Sequence, residues 1–200
     1  MILEKEIIFL LSIIFIYDIL FLWRGRMIEI FRPDIYQKSI YDIDYKNLKK
    51  SGIKCVCFDL DNTLAPLNIT VPDRDLLDFF YRLEEMEIKA IILSNSGKSR
   101  VAPFKEKCNV DSSFHSMKPF KKKYKKIMDM YHLKDNEIAC VGDQLLTDIL
   151  GANKMGFVSI LVNPIGKKER FLTYFNRLVE KFIFKRLKKR GLFEKGVYYE

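Results

Sequence analysis

The sequence predicts an α/β fold: a Rossmann-like parallel sheet with helices on both faces. Three observations lead there. Apolar runs of strand length stand at 53–58, 88–93, 138–142 and 157–162, segments with helical spacing lie between them, and no hairpin turn sequence joins one run to the next. Strands that alternate with helices in this way pair in parallel, because each crossover helix covers one face of the sheet.

Taken in order, IKCVCF (53–58) is a buried strand that ends on Asp59. Between Pro72 and Glu87, Leu76, Leu77, Phe80, Leu83 and Met86 recur at helical spacing. Asp73 and Asp75 stand at the end where the helix dipole favours negative charge. IKAIIL (88–93) is a second strand, ending on Ser94, and Lys98 to Lys107 is a short helix. A weaker strand is expected over Asp111 to His115, then a lysine-rich helix over 120–131. IACVG (138–142) is a strand that ends on Asp143, 144–154 a helix, and FVSILV (157–162) the last strand. Ligands of such sheets sit beyond the carboxyl ends of the strands. Asp59, Ser94 and Asp143 each begin where a strand stops.

The chain has 200 residues, enough for one globular domain with further elements at its ends. At 48% hydrophobic and 30% charged residues it is neither intrinsically disordered nor fibrous. Lys and Arg number 35 against 26 acids, a net charge of +9. The excess is local: residues 164–200 hold 11 basic and 4 acidic side chains, and KPFKKKYKK (118–126) carries six lysines and no acid. Such a balance suits anionic partners, among them a phosphorylated substrate, an anionic membrane surface or nucleic acid. No aromatic stacking pattern or nucleic-acid motif accompanies it, which disfavours the last. Cys55, Cys57, Cys108 and Cys140 lie in or beside apolar runs without paired CxxC spacing, and read as buried thiols of a reduced intracellular protein.

Residues 1–26 stand apart. Ile7 to Trp23 is apolar except for Ser12 and Asp18, slightly short of the roughly 20 residues that a spanning helix needs. Phe21, Trp23, Arg24 and Arg26 resemble an interfacial edge with a basic flank on the cytoplasmic side. The expectation is a membrane anchor or interfacial helix that leaves the downstream domain at the cytoplasmic face of the membrane. A helix packed on the domain, in a cytoplasmic protein, is the alternative, as is a chain that starts at Met27.

The strand ends carry chemistry. Asp59 and Asp61 place two carboxylates two residues apart, and Asp143 is followed by Asp148. Carboxylates that converge in one crevice repel one another unless a cation lies between them, and Mg²⁺ takes oxygen ligands together with substrate phosphate. Ser94 offers a hydroxyl and Lys118 an ammonium to a phosphoryl group. A carboxylate nucleophile with a second carboxyl as proton donor is one covalent route for phosphoryl transfer.

At this point DLDNTL (59–64), SNS (94–96), Lys118-Pro119 and GDQLLTD (142–148) resemble, in order and at suitable spacing, the four motifs of the haloacid dehalogenase superfamily. The resemblance implies that Asp59 is the nucleophile and Asp61 the general acid and base. It implies that Ser94 binds the phosphoryl group and Lys118 neutralises it. Asp143 would hold Mg²⁺ with Asp59 and the backbone carbonyl of Asp61, and Asp148 would support that site. RPDIYQKSIYDIDYKNLKKSGIK (32–54) and GDQLLTDILGANKMGFVSILVNPI (142–165) are further similar to the YqeG family of subclass IIIA, related to the phosphatidylglycerophosphate phosphatases of mitochondria and plastids.

No cap domain fits between the motifs. Only 28 residues separate Thr63 from Ile92, and 21 separate Ser96 from Lys118. An uncapped crevice suits a phosphate that protrudes from something large, such as a lipid headgroup. The tail points the same way: Phe171, Leu172, Phe175, Leu178, Val179, Phe182, Ile183 and Leu187 form an apolar stripe on an otherwise cationic helix, as membrane-surface helices do. The expected division is therefore 1–26, an anchor; 27–166, the phosphatase domain; and 167–191, a basic amphipathic helix. The expected activity is Mg²⁺-dependent hydrolysis of phosphatidylglycerophosphate or another membrane-borne phosphate. A phosphatase of soluble sugar phosphates or nucleotides, and a non-catalytic RNA- or ribosome-associated module, are the alternatives.

Overall fold

The computed structural model describes residues 28–166 and 171–200. The expected anchor, Ile7 to Trp23 with Arg24 and Arg26, lies outside the described residues. Among those residues no helix is long and apolar enough to cross a membrane.

Six parallel strands form one sheet in the order β1-β6-β5-β2-β3-β4. They are β1 (Ile35–Gln37), β2 (Cys55–Phe58), β3 (Lys89–Leu93), β4 (Asp111–Ser113), β5 (Ile138–Gly142) and β6 (Val158–Val162). The helices are α1 (Tyr45–Lys50), α2 (Arg74–Glu85), α3 (Lys98–Cys108), α4 (Lys121–Tyr131), α5 (Leu150–Met155) and α6 (Phe171–Lys189). The chain winds from β2 to β3 and β4 on one side, then returns to place β5 on the other side of β2. This reversal leaves a crevice at the carboxyl ends of β2 and β5, where ligands of open α/β sheets bind.

Strand periodicity sets the layers. Val56 and Phe58 of β2, Ala90 and Ile92 of β3, and Val141 of β5 point into one core with Leu76, Phe80 and Leu83 of α2 and Phe104 of α3. The alternate residues Cys55, Cys57, Ile91, Leu93 and Cys140 point into the other, with Tyr124 and Ile127 of α4. All four cysteines are buried and unbridged. No separate cap interrupts β2 to β3 or β3 to β5 among the described residues; those intervals hold the loops, α2, α3, β4 and α4.

Four elements differ from the sequence expectation. α1, six residues with only Tyr45 and Leu48 buried, is too short for helical spacing to show. β1 is three residues long, too short for its alternation to register, and it pairs with β6. The helix expected over 144–154 starts as a single π-helical turn, Leu145–Ile149, before α5. The apolar stripe of the tail is divided between two faces. Ile183 and Leu187 of α6 are buried with Leu145, Leu146, Ile149 and Phe193. Leu178 and Phe182 of the stripe lie outside at 37% and 66% exposure, beside Tyr174 at 58%; the side chains of Phe171, Leu172 and Phe175 lie outside those described. Beyond α6 the chain returns to the sheet edge, where Tyr199 bridges Tyr36 in antiparallel sense.

Candidate active site

The turn after β2 builds the first part of the site. Asp59 is buried, and its backbone N–H donates to Val141 O of β5 at 2.9 Å, which locks it to the sheet end. Asn62 takes a left-handed φ of 65°, a conformation that Asn tolerates better than most residues. Its N–H donates to Ala65 O at 2.9 Å, folding Asp61 back beside the crevice. The Asp61 carboxylate accepts from the Ser96 hydroxyl and, at 2.9 Å, from Arg100 Nε. Arg100 also reaches the carbonyls of Pro66 and Ile69, so one guanidinium ties Asp61 to the loop before α2.

The second part is Lys118. Its Nζ lies 2.6 Å from Asp59 Oδ1 and 2.6 Å from Asp148 Oδ1, with all three side chains almost inaccessible. Asn95 fixes the lysine backbone from both sides: its Oδ1 accepts the Lys118 N–H at 2.7 Å and its Nδ2 donates to Lys118 O at 3.3 Å. The Lys118-Pro119 peptide is cis. Ser94 is buried, and its Oγ accepts the Ser96 N–H at 3.1 Å.

The third part follows β5. Asp143 accepts from Thr63 Oγ1 at 3.3 Å. The π-helical turn brings Asp148 back toward the end of β5, where its Oδ2 accepts the Gln144 N–H at 3.1 Å. Such single turns add one residue to a helix and often stand at functional sites. Gly142 makes the approach feasible, since a Cβ there would lie 2.2 Å from Asp148 Cγ.

Asp59, Asp143 and Asp148 thus converge, each offering a carboxylate oxygen within 4.8 Å of the others. Burial pushes Asp59 up to about 7, with Lys118 opposing and Asp148 adding to the shift. Burial also raises Asp143 well above the ordinary carboxylate range, against the pull of Arg177. At Lys118 burial acts downward, but Asp148 and Asp59 outweigh it and the ammonium is held upward. Three close buried carboxyls, two of them with costly charged forms, present hard oxygen donors that fit a divalent cation such as Mg²⁺.

The structure therefore brings Asp59, Lys118, Asp143 and Asp148 into one cluster and sets Asp61 on separate partners, Ser96 and Arg100. Residue-level reading of the sequence missed Arg100, Asn95, Arg177 and Glu180. The last two lie on α6, where Arg177 pairs with Asp143 and with Glu180.

Carboxylates gathered with a lysine at the β2 and β5 ends of a parallel sheet suit phosphoryl chemistry, and the matches to known sequences assign the chain to the phosphatases of the haloacid dehalogenase superfamily. A family model described as "Mitochondrial PGP phosphatase" matches residues 26–166, and the chain belongs to that family. It is 36% identical over 163 residues to "Probable phosphatase YqeG" of Bacillus subtilis (strain 168), covering 82% of this chain and 95% of that protein. It is 26% identical over 171 residues to "Phosphatidylglycerophosphate phosphatase 1, chloroplastic/mitochondrial" of Arabidopsis thaliana, covering 80% of this chain and 49% of that one. It is 28% identical over 160 residues to "Phosphatidylglycerophosphate phosphatase 1, chloroplastic" of Chlamydomonas reinhardtii, covering 75% and 60%. The match thus spans less than two thirds of each of the latter two proteins.

Proposed function

We propose that the protein is a Mg²⁺-dependent phosphomonoesterase that acts through an aspartyl-phosphate on a lipid-borne phosphate, with phosphatidylglycerophosphate as the leading substrate. The observation that carries the catalytic reading is the Lys118 ammonium between Asp59 and Asp148, 2.6 Å from each, beside Asp143.

In this reading an Asp59 oxygen attacks phosphorus, and the bond from phosphorus to the leaving oxygen breaks as Asp61 gives that oxygen a proton. Asp61 then takes a proton from a water that attacks the phosphoryl group, which frees inorganic phosphate and the Asp59 carboxylate. Ser94 and Lys118 hold the phosphoryl oxygens, Arg100 and Ser96 orient Asp61, and Asn95 keeps Lys118 in place. Asp59, Asp143 and the backbone carbonyl of Asp61 would hold Mg²⁺, with Asp148 in support. The cation supplies charge neutralisation between carboxylates and phosphate.

Two features support the lipid. Two relatives are named as phosphatidylglycerophosphate phosphatases. The outer face of α6 presents Tyr174, Leu178 and Phe182 among the exposed Lys181, Lys185 and Lys189. Apolar side chains ringed by lysines suit the headgroup region of an anionic leaflet. The domain is read as 27–166, with 167–191 as the membrane-facing helix and 1–26 as an anchor that keeps the site at the cytoplasmic face.

Phosphate release from phosphatidylglycerophosphate in mixed micelles, soluble sugar phosphates, nucleotides and phosphopeptides, each with and without Mg²⁺, tests this. The lipid is expected to give the highest kcat/KM, and chelation to abolish turnover. Higher kcat/KM on a sugar phosphate or nucleotide contradicts the lipid reading and leaves the phosphatase reading. No turnover of any phosphate contradicts both.

A further inference from the structure

The C-terminal helix is not a detached appendage. Arg177 and Glu180, one turn apart, project from the inner face of α6 onto the segment that follows β5. Arg177 Nη1 donates to the backbone carbonyl of Asp143 at 2.7 Å and to Glu180 Oε2 at 3.0 Å, and its Nη2 pairs with Asp143 Oδ2. Glu180 is 1% exposed, and its Oε1 accepts the Leu146 N–H at 3.1 Å. The pair therefore holds both the candidate cation ligand and the first residues of the π-helical turn that delivers Asp148. Thr63 Oγ1 steadies the other Asp143 oxygen at 3.3 Å.

We propose that Arg177 is a positioning residue: it fixes the Asp143 carboxylate for Mg²⁺ and makes cation affinity depend on the docking of α6. This rests on the reading of Asp143 as a metal ligand. A planar guanidinium that binds a carboxylate oxygen and the carbonyl of the same residue restrains both the side chain and the backbone beneath it through a rigid fork, whereas the donors of a lysine ammonium rotate and fix no such geometry. Groups that orient a metal ligand in this manner commonly change affinity by 10–100-fold when removed. The arrangement also joins two surfaces. Residues 177 and 180 face the site, while Tyr174, Leu178 and Phe182 of the same helix face outward. By linkage, if docking of α6 strengthens Mg²⁺ binding, Mg²⁺ strengthens docking of the helix by the same factor.

The test is calorimetric titration of the full chain with MgCl₂ alone, without substrate, alongside hydrogen exchange of the α6 amides. Asp143→Asn serves as the reference for loss of the site. Arg177→Met alone leaves Glu180 buried without its cation, so the test pairs it with Glu180→Gln, which removes that charge and keeps an oxygen to accept the Leu146 N–H, and a melt confirms that the variant is folded. The paired variant is expected to bind Mg²⁺ about 10–100-fold more weakly than the parent. Arg177→Lys should fall between them, and Mg²⁺ should slow α6 exchange in the parent but not in the paired variant. Affinity within twofold of the parent, or tighter, in a folded paired variant overturns the role of Arg177, while loss in Asp143→Asn alone keeps Asp143 as ligand. Equal affinity in the parent and Asp143→Asn overturns both.

Discussion

The Lys118 ammonium and the Asp59 carboxylate lie 2.6 Å apart at a strand end closed to solvent. The same nitrogen reaches Asp148, so removing it leaves two carboxyls facing each other without a positive partner. Lys118→Met is expected to lower phosphate release by about a hundredfold to a thousandfold, the range for loss of one donor to developing charge. Steady-state kinetics with saturating Mg²⁺ check this, and a rate within threefold of the parent contradicts it.

Asp59 sets a pH dependence. Burial holds its carboxyl up at about 7 in the cation-free protein, above the unfolded value. A carboxyl raised on folding favours the native state below its unfolded pKa of about 3.9 and loses that contribution as pH rises toward the folded value. The cation-free protein should therefore lose stability between about pH 4 and 7 relative to Asp59→Asn, which has no carboxyl to ionise there. Mg²⁺ affinity should rise over the upper part of that window, because binding displaces a proton. Thermal melts and Mg²⁺ titrations across the pH range read both effects.

Gly142 marks the closest approach in the site. A Cβ there would stand 2.2 Å from Asp148 Cγ. Gly142→Ala is expected to destabilise the fold by about 1–3 kcal/mol, as overpacking does. It should also weaken Mg²⁺ binding, since Asp148 has to move. Gly151→Ala should destabilise comparably through the Tyr124 hydroxyl, 2.2 Å from its Cβ, without the same loss at the cation site. Denaturant melts with parallel titrations separate the two.

The outer face of α6 predicts how the protein meets lipid. Serine at Tyr174, Leu178 and Phe182 together should reduce sedimentation with phosphatidylglycerol-rich vesicles about tenfold or more, since each buried apolar side chain contributes roughly 1.5–3 kcal/mol. Glutamine at Lys181, Lys185 and Lys189 should instead reduce the salt sensitivity of binding. Undiminished binding by both variants contradicts the assignment of this face.

Much of this was legible in the sequence. Strands β2, β3, β5 and β6 are apolar on both faces because helices cover both, so they stand out as continuous runs, and the first three end on residues the fold brings to the crevice or its edge. The convergence of Asp59, Asp143 and Asp148 followed from those ends and the motif resemblance. Other features had no local signature. Arg177 sits among cationic residues of α6, and only the bonds it makes to Asp143 once that helix is docked show that it faces inward. Arg100 belongs to a short helix with ordinary charge, and its role depends on the loop at 65–69 that the Asn62 turn brings near. The π-helical turn depends on Asp148 returning to the Gln144 N–H, a tertiary choice that helical periodicity does not encode.

The central claim is that Asp59 carries the phosphoryl group, and phosphate release by Asp59→Asn at saturating Mg²⁺ tests it most directly, with circular dichroism and a melt to show that the variant is folded. An amide at the strand end keeps the shape but has no attacking carboxylate, so the rate should fall by at least about a thousandfold, as for other lost nucleophiles. A folded Asp59→Asn variant that releases phosphate at the parental rate contradicts the account.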